Sequence, residues 1–232
     1  MINQIKFISL LSLFIFIFQN IGYSQDSTKS ELKDKWFLWY YPAYNTRING
    51  IAIGFFNFTN DKNQEVNGIK VELMGMGFIG PLIPYFADQI TGQNQLDSTR
   101  IKNAFKIRGL NISLTGTVEG SRMEGISIGG ISTMHTQLRG ISLAVFHANN
   151  IIDMKGIQLA PINSSYKMRG VQLGLVFSAA NDFKGIQIGS ITSSTTMVGL
   201  QIGLLNFSKD THGIQFGVIN INEKRILPII NW

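Results

Sequence analysis

The chain has 232 residues, with 20 Lys and Arg against 14 Asp and Glu and a net charge of +6. Only 15% of residues are charged and 44% are apolar, a mild basic balance that fits an anionic lipid or polysaccharide surface but points to no particular partner. No cysteine is present, which excludes a disulfide framework and a lipid anchor through a thiol, so stability has to come from packing alone.

Residues 1–6 end on Lys6, and residues 7–18 are almost purely apolar. This is the order of a signal peptide, and Gly22 and Ser24 supply the small residues that its peptidase needs, giving an expected leader of 1–24. The apolar run is shorter than the roughly 20 residues that a membrane-spanning helix needs. Residues 25–232 then read as a single β domain with 19 basic and 14 acidic residues. The leader implies an exported chain, at the outer membrane or cell surface, with the periplasm or medium as the alternative, and therefore no nucleic-acid partner.

From Gly50 onward one unit recurs: apolar, any, Gly, apolar, Gln or small, apolar, Gly, two apolar residues, Asn or small polar. The first copies begin at Gly50 and Gly68, and then 41 residues separate Gly68 from Gly109. That stretch holds an insertion at 81–108, read either as degenerate repeats or as a candidate interaction loop with Tyr85, Phe86, Asp88, Arg100 and Lys102, since long loops on a regular scaffold tend to carry function.

After Gly109 the anchors fall 14 to 16 residues apart, and the clearest copies start at Gly156, Gly170, Gly185, Gly199 and Gly213. Their periodicity is two, which predicts strands and excludes helix. Around Gly185, Lys184, Ile186 and Ile188 share one face, and Phe183, Gln187 and Gly189 share the other. The residue before the anchor is basic in Arg108, Arg139, Lys155, Arg169 and Lys184, a candidate basic rim for lipid phosphates or acidic glycans. A single copy buries too little aliphatic surface to offset the entropy of ordering some fifteen residues, so the strands must pair across the array.

Other motifs read as parts of the repeat. Gly125-Ile126-Ser127-Ile128-Gly129 matches a nucleophile elbow, but its glycines are the repeat glycines. Gly75, Gly77 and Gly80 have dinucleotide-loop spacing, yet Pro81 and Pro84 follow where a helix should open. His135, His147 and His212 lack ligand spacing and read as turn or strand-end residues. Asn57-Phe58-Thr59 and Asn206-Phe207-Ser208 read as strand ends. No catalytic residue, metal site, cofactor or small-molecule substrate emerges, and an enzyme is not expected.

The fold class is all-β. Ten extended residues reach about 33 Å at roughly 3.3 Å each, and the few that remain cannot bring the chain back. The expectation is therefore an antiparallel meander of about eleven or twelve strands closing into an outer-membrane barrel, with Ile186 and Ile188 toward lipid and Gln187 and Gly189 toward a lumen. The terminal Trp232, with Ile230 two before it, is similar to the last strand of such barrels. The alternative is a β-solenoid with 14–16-residue rungs, because the spacings lack the alternation of repeated hairpins, and Gln158, Gln172, Gln187, Gln201 and Gln215 would stack in one ladder. The last copy, Ile226 to Asn231, aligns with Gln201 to Asn206 and carries Pro228 where Gly203 stands. A terminal solenoid rung tolerates that proline better than a closing strand does.

Units such as Gly199-Leu200-Gln201-Ile202-Gly203-Leu204-Leu205-Asn206, followed by the Pro228-containing ending, resemble the surface repeat family described in leptospires, over most of the chain from Gly50. The resemblance implies an exported surface or outer-membrane protein and carries no site residue with it. The functional expectation is a structural or narrow-passage role in the outer membrane, in contact with the bilayer. The alternative is a β-solenoid surface module for adhesion or interaction.

Overall fold

The computed structural model describes residues 32–41, 45–55, 64–75, 77, 105–118 and 121–232, all within one compact unit, Leu32–Trp232. The expected leader (1–24) and the candidate loop residues Tyr85, Phe86, Asp88, Arg100 and Lys102 lie outside the described residues.

The array starts with β1 (Lys33–Tyr41), β2 (Thr46–Gly54), β3 (Gln64–Glu72) and β4 (Phe105–Ser113). It continues through β5 (Gly116–Val118), β6 (Ser121–Gly129), β7 (Ser132–Ala144) and β8 (His147–Leu159). The last elements are β9 (Ile162–Ile202), β10 (Leu205–Ile221) and β11 (Ile226–Asn231). Neighbours pair in sequence order, β1-β2-β3-β4-β6-β7-β8-β9-β10-β11, with β5 on β7. Every pairing up to β9–β10 is parallel, and each anchor glycine sits opposite the next: Gly50 with Gly68, Gly109 with Gly125, Gly140 with Gly156, Gly199 with Gly213. Parallel strands in this register, one rung of chain apart, make a β-solenoid of about nine turns.

The expected barrel is thereby corrected. The length estimate that favoured a barrel took each unit as one straight strand. In fact the chain bends within the unit. Nine anchor glycines, Gly50 through Gly199, adopt φ between 127° and 142°, a region closed to residues with a Cβ. A Cβ on Gly185 would lie 1.9 Å from the carbonyl oxygen of Gly170. Backbones of successive rungs approach so closely there that only hydrogen fits. The bends bring the chain back over its own start after about fifteen residues, so the next strand runs parallel.

The alternation read from sequence holds, but the inward side is a packed core. Two before each glycine except Gly213 stands a buried apolar residue: Ile48, Val66, Ile107, Met123, Leu138, Met154, Met168, Phe183 and Met197. Two after it stands Ala52, Lys70, Asn111, Ser127, Ser142, or one of the five glutamines. Burying an amide costs free energy unless all its groups are paired. The glutamines solve this by translation: Gln172 Nε2 donates to Gln158 Oε1 (3.0 Å), Gln187 to Gln172 (2.7 Å), Gln201 to Gln187 (2.7 Å) and Gln215 to Gln201 (2.8 Å). Each also reaches backbone on the far side of the rung, as Gln187 does to Ser178 O at 3.0 Å. Gln187 therefore braces the cross-section instead of lining a lumen. A shorter polar column, Thr192–Asn206–Asn220, is linked the same way at 2.6 and 2.7 Å. Asn206 is thus a core residue near the start of β10, while Asn57 lies outside the described residues.

The ending departs from the expected final copy. β11 runs antiparallel to β10, pairing Asn231 with Gln215 and Leu227 with Asn220, so it is a hairpin cap and not another rung. Pro228 falls at the register shift between these pairs, where its missing N–H interrupts the ladder least. Arg225 locks the turn: its guanidinium lies 4.2 Å from the Trp232 ring centre and donates to Asn231 Oδ1 at 3.0 Å and to the Trp232 carbonyl.

A candidate interaction surface

The solenoid turns outward the residues that flank its inward ones. One and three after each anchor glycine the side chain is apolar in every described rung from Gly50: Ile51 and Ile53, Ile126 and Ile128, Ile186 and Ile188, ending with Ile214 and Phe216. None of these is buried, and Ile186 is 41% exposed although rungs stack on both sides of it. With ten anchor glycines spaced by about 4.8 Å, the double column runs on the order of 40 Å. Beyond it, at the next bend, lies a second apolar line that includes Leu114, Val145, Leu175, Leu204 and Val218, with Leu175 80% exposed. Monomeric proteins seldom leave contiguous apolar surface beyond a few hundred Å², and larger patches mark contact sites.

The residues of the candidate basic rim stand on the other side of the glycines. Arg108, Glu124, Arg139, Lys155 and Arg169 stand opposite one another in consecutive rungs, and Lys184 occupies the same place one rung later. The solenoid thus makes one column of what a meander would have divided between two rims. It has two parts. Toward the start of the array the charges are neutralised: Glu65 meets Lys106 at 2.9 Å, Arg47 at 3.2 Å and Arg108 at 3.6 Å, and Arg108 also meets Glu124 at 3.6 Å. Burial by itself would raise the Glu65 carboxyl, but the hydrogen bonds and charges of Lys106 and Arg47 outweigh it and hold the group below its ordinary value. From Gln137 to Lys184, by contrast, five cations face two carboxylates. Lys155 contacts Asp153 at 3.7 Å, and among the described residues Arg139, Lys167, Arg169 and Lys184 form no ion pair. Lys167, Arg169 and Lys184 border a shallow groove with Asp182 and Val198.

Two other clusters lie inside the stack. Ser127 Oγ is 2.8 Å from His135 Nε2, so the sequence motif does bring a serine to a histidine. Both are fully buried, the other ring nitrogen meets Ser121 Oγ at 2.7 Å, and Asn111 donates to Ser127 at 3.1 Å. A nucleophile elbow presents its serine to solvent on a strand-to-helix turn, whereas Ser127 lies inside β6 and fills a core slot. His135 sits within β7, correcting its reading as a turn or strand-end residue, and His147, also buried, bonds Ser164 at 3.0 Å. His212 is exposed beside Asp210 at 3.4 Å. Among the described residues no three His, Cys, Asp or Glu side chains gather as for a metal ion. The second cluster is the buried pair Lys70 Nζ–Glu72 Oε2 at 3.2 Å, with the ammonium also 5.7 Å from the Phe105 ring centre. Sequence reasoning does not reach it, although a lysine standing in the slot that later holds glutamine is a signal.

No family model, no curated protein and no solved structure matches the chain.

Proposed function

We propose that the protein is an exported β-solenoid interaction module that works through its outward columns and catalyses no reaction. The observation that carries this reading is the double aliphatic column that every described rung from Gly50 contributes to. Exposed aliphatic carbon at one site is incidental, but the same pair of positions kept apolar through ten rungs makes a continuous surface with a cost in solubility. Repeat arrays present such surfaces for extended contact. The chemistry-bearing groups, Ser127, His135, Lys70 and Glu72, are all in the core, where they serve packing. The leader-like first residues and the resemblance of the repeat to leptospiral surface proteins support export to the envelope.

Fractionation of cells making the full-length chain, followed by alkaline carbonate extraction of the envelopes, tests this. The module is expected with the envelope before extraction and in the supernatant after it. Recovery with cytosolic markers would overturn export, and carbonate-resistant retention would overturn a peripheral module.

A further inference from the structure

We infer that the aliphatic double column and the cations beside it form one membrane-binding face for anionic phospholipid bilayers. This rests on the reading of the outward columns as the working surface and names what they contact. In each rung that carries one, the cation precedes the bend glycine and the first aliphatic residue follows it, so the two flank one corner, two residues and at most about 7 Å apart. In the rungs of Gly140, Gly156, Gly170 and Gly185 this puts Arg139 beside Ile141, Lys155 beside Ile157, Arg169 beside Val171 and Lys184 beside Ile186. All eight are wholly or partly exposed.

A bilayer interface offers what such an edge requires. Acyl carbon lies next to a layer of phosphates, and long cationic side chains reach the headgroups while the aliphatic row beside them enters the boundary. The rise of about 4.8 Å per rung sets the cations closer together than lipid headgroups pack, so several contact each anionic lipid. A second copy of the chain fits less well. Laid on the same face, it would set its own cations on these cations or on aliphatic carbon, and neither supplies counter-charge. The neutralised start of the column marks where this contact ends, because Arg47, Lys106 and Arg108 already share Glu65.

The test is co-sedimentation of the protein recovered from cells making the full chain with two kinds of vesicle. One is phosphatidylcholine alone and the other is phosphatidylcholine with phosphatidylglycerol at roughly three to one. The wild type is expected to bind the anionic vesicles at least about tenfold more tightly, and to lose that preference as salt is raised. Replacing Arg139, Lys155, Arg169 and Lys184 by Gln should abolish the preference. Ile157→Ser with Ile186→Ser should weaken binding to the anionic vesicles about tenfold while the circular dichroism spectrum is kept, and Ser193→Gln, on another outward column, should change neither. Equal binding of both vesicles, or an unchanged preference in the Gln variant, would overturn the inference. So would a wild type that ignores vesicles and sediments as a dimer, or that prefers soluble dextran sulfate. Failure here combined with carbonate-released recovery in the envelope leaves the interaction module standing, whereas cytosolic recovery removes the module itself.

Discussion

The first and last thirds of the solenoid solve one problem in different ways. From Gly156 to Gly213 the rungs are 14 or 15 residues apart, and the slot two after the glycine always holds glutamine. There a buried amide is satisfied by an identical amide one rung away, so regularity of sequence is itself the hydrogen-bonding partner. From Gly50 to Gly125 the spacing is irregular, and the same slot holds Ala52, Lys70, Asn111 and Ser127. Each polar occupant there needs its own arrangement: Glu72 for Lys70, Thr117 and Ser127 for Asn111, His135 for Ser127. Repetition propagates a solution, and where it lapses the chain must rebuild one locally. The outer surface divides in the same way, into early rungs with paired charges and later ones with free cations.

The largest effects should come from the glycines. Gly185→Val places a Cβ against the Gly170 carbonyl in a backbone region reserved for glycine, so a loss of at least about 4 kcal/mol in urea unfolding is expected. Gly50→Ala should cost about half as much, because alanine adds a single carbon and the nearest backbone atom, the Phe37 carbonyl oxygen in the first strand, lies 2.4 Å from it rather than 1.9 Å. Equal losses would mean that the early rungs are as tightly stacked as the late ones.

Next in size is the buried pair. Lys70→Met takes the ammonium away from the buried Glu72 carboxylate and should cost about 3 to 5 kcal/mol, while Lys70→Met with Glu72→Leu should recover most of it, as measured by thermal unfolding of both variants. A double variant as unstable as the single would show that the pair has partners on which the early rungs depend.

The glutamine ladder offers an internal comparison. Gln187→Leu removes an acceptor from Gln201 and a donor from Gln172, and should cost about 2 to 4 kcal/mol. Gln215→Leu, at the last step, takes a donor from the Gln201 oxygen and from the Ile221 carbonyl at 3.4 Å but leaves no further amide of the ladder without an acceptor, and should cost about 1 to 2 kcal/mol. Identical losses would argue against a ladder whose interior differs from its end.

The smallest effect concerns Glu65. Its carboxyl is held below the ordinary value of 4.5, so the stabilisation from Lys106 and Arg47 is complete above that value and disappears as pH falls through the lowered folded one. Glu65→Gln should therefore cost about 1 kcal/mol or less at pH 7, and the difference from wild type should shrink in acid titration of stability. A difference that persists below pH 3 would assign the loss to packing instead.

Much of this architecture is legible in the sequence. The two-residue alternation puts Phe183 and Gln187 on one face and Ile186 and Ile188 on the other, and the folded chain keeps that division. The alignment of Arg139, Lys155, Arg169 and Lys184 follows from their common position before the glycine. The contact of Ser127 with His135 is not legible, since it joins different strands through the interior, and neither is the antiparallel cap, whose residues still spell a repeat. The apolar line of Val145, Leu175 and Leu204 escapes a sequence reading because it falls at a bend, where alternation carries no information about direction.

By itself the sequence determined which residues point in and which point out, because a two-residue alternation is a local property of extended backbone. It also determined the glycine positions, since close backbone approach admits nothing larger. Only the tertiary structure decided whether neighbouring strands run parallel and whether the glutamines face water or one another. Those outcomes depend on the sum of all bends in a rung, to which the turn of φ to about +130° at one glycine per unit contributes, and together they make a closed stack where a barrel wall was expected.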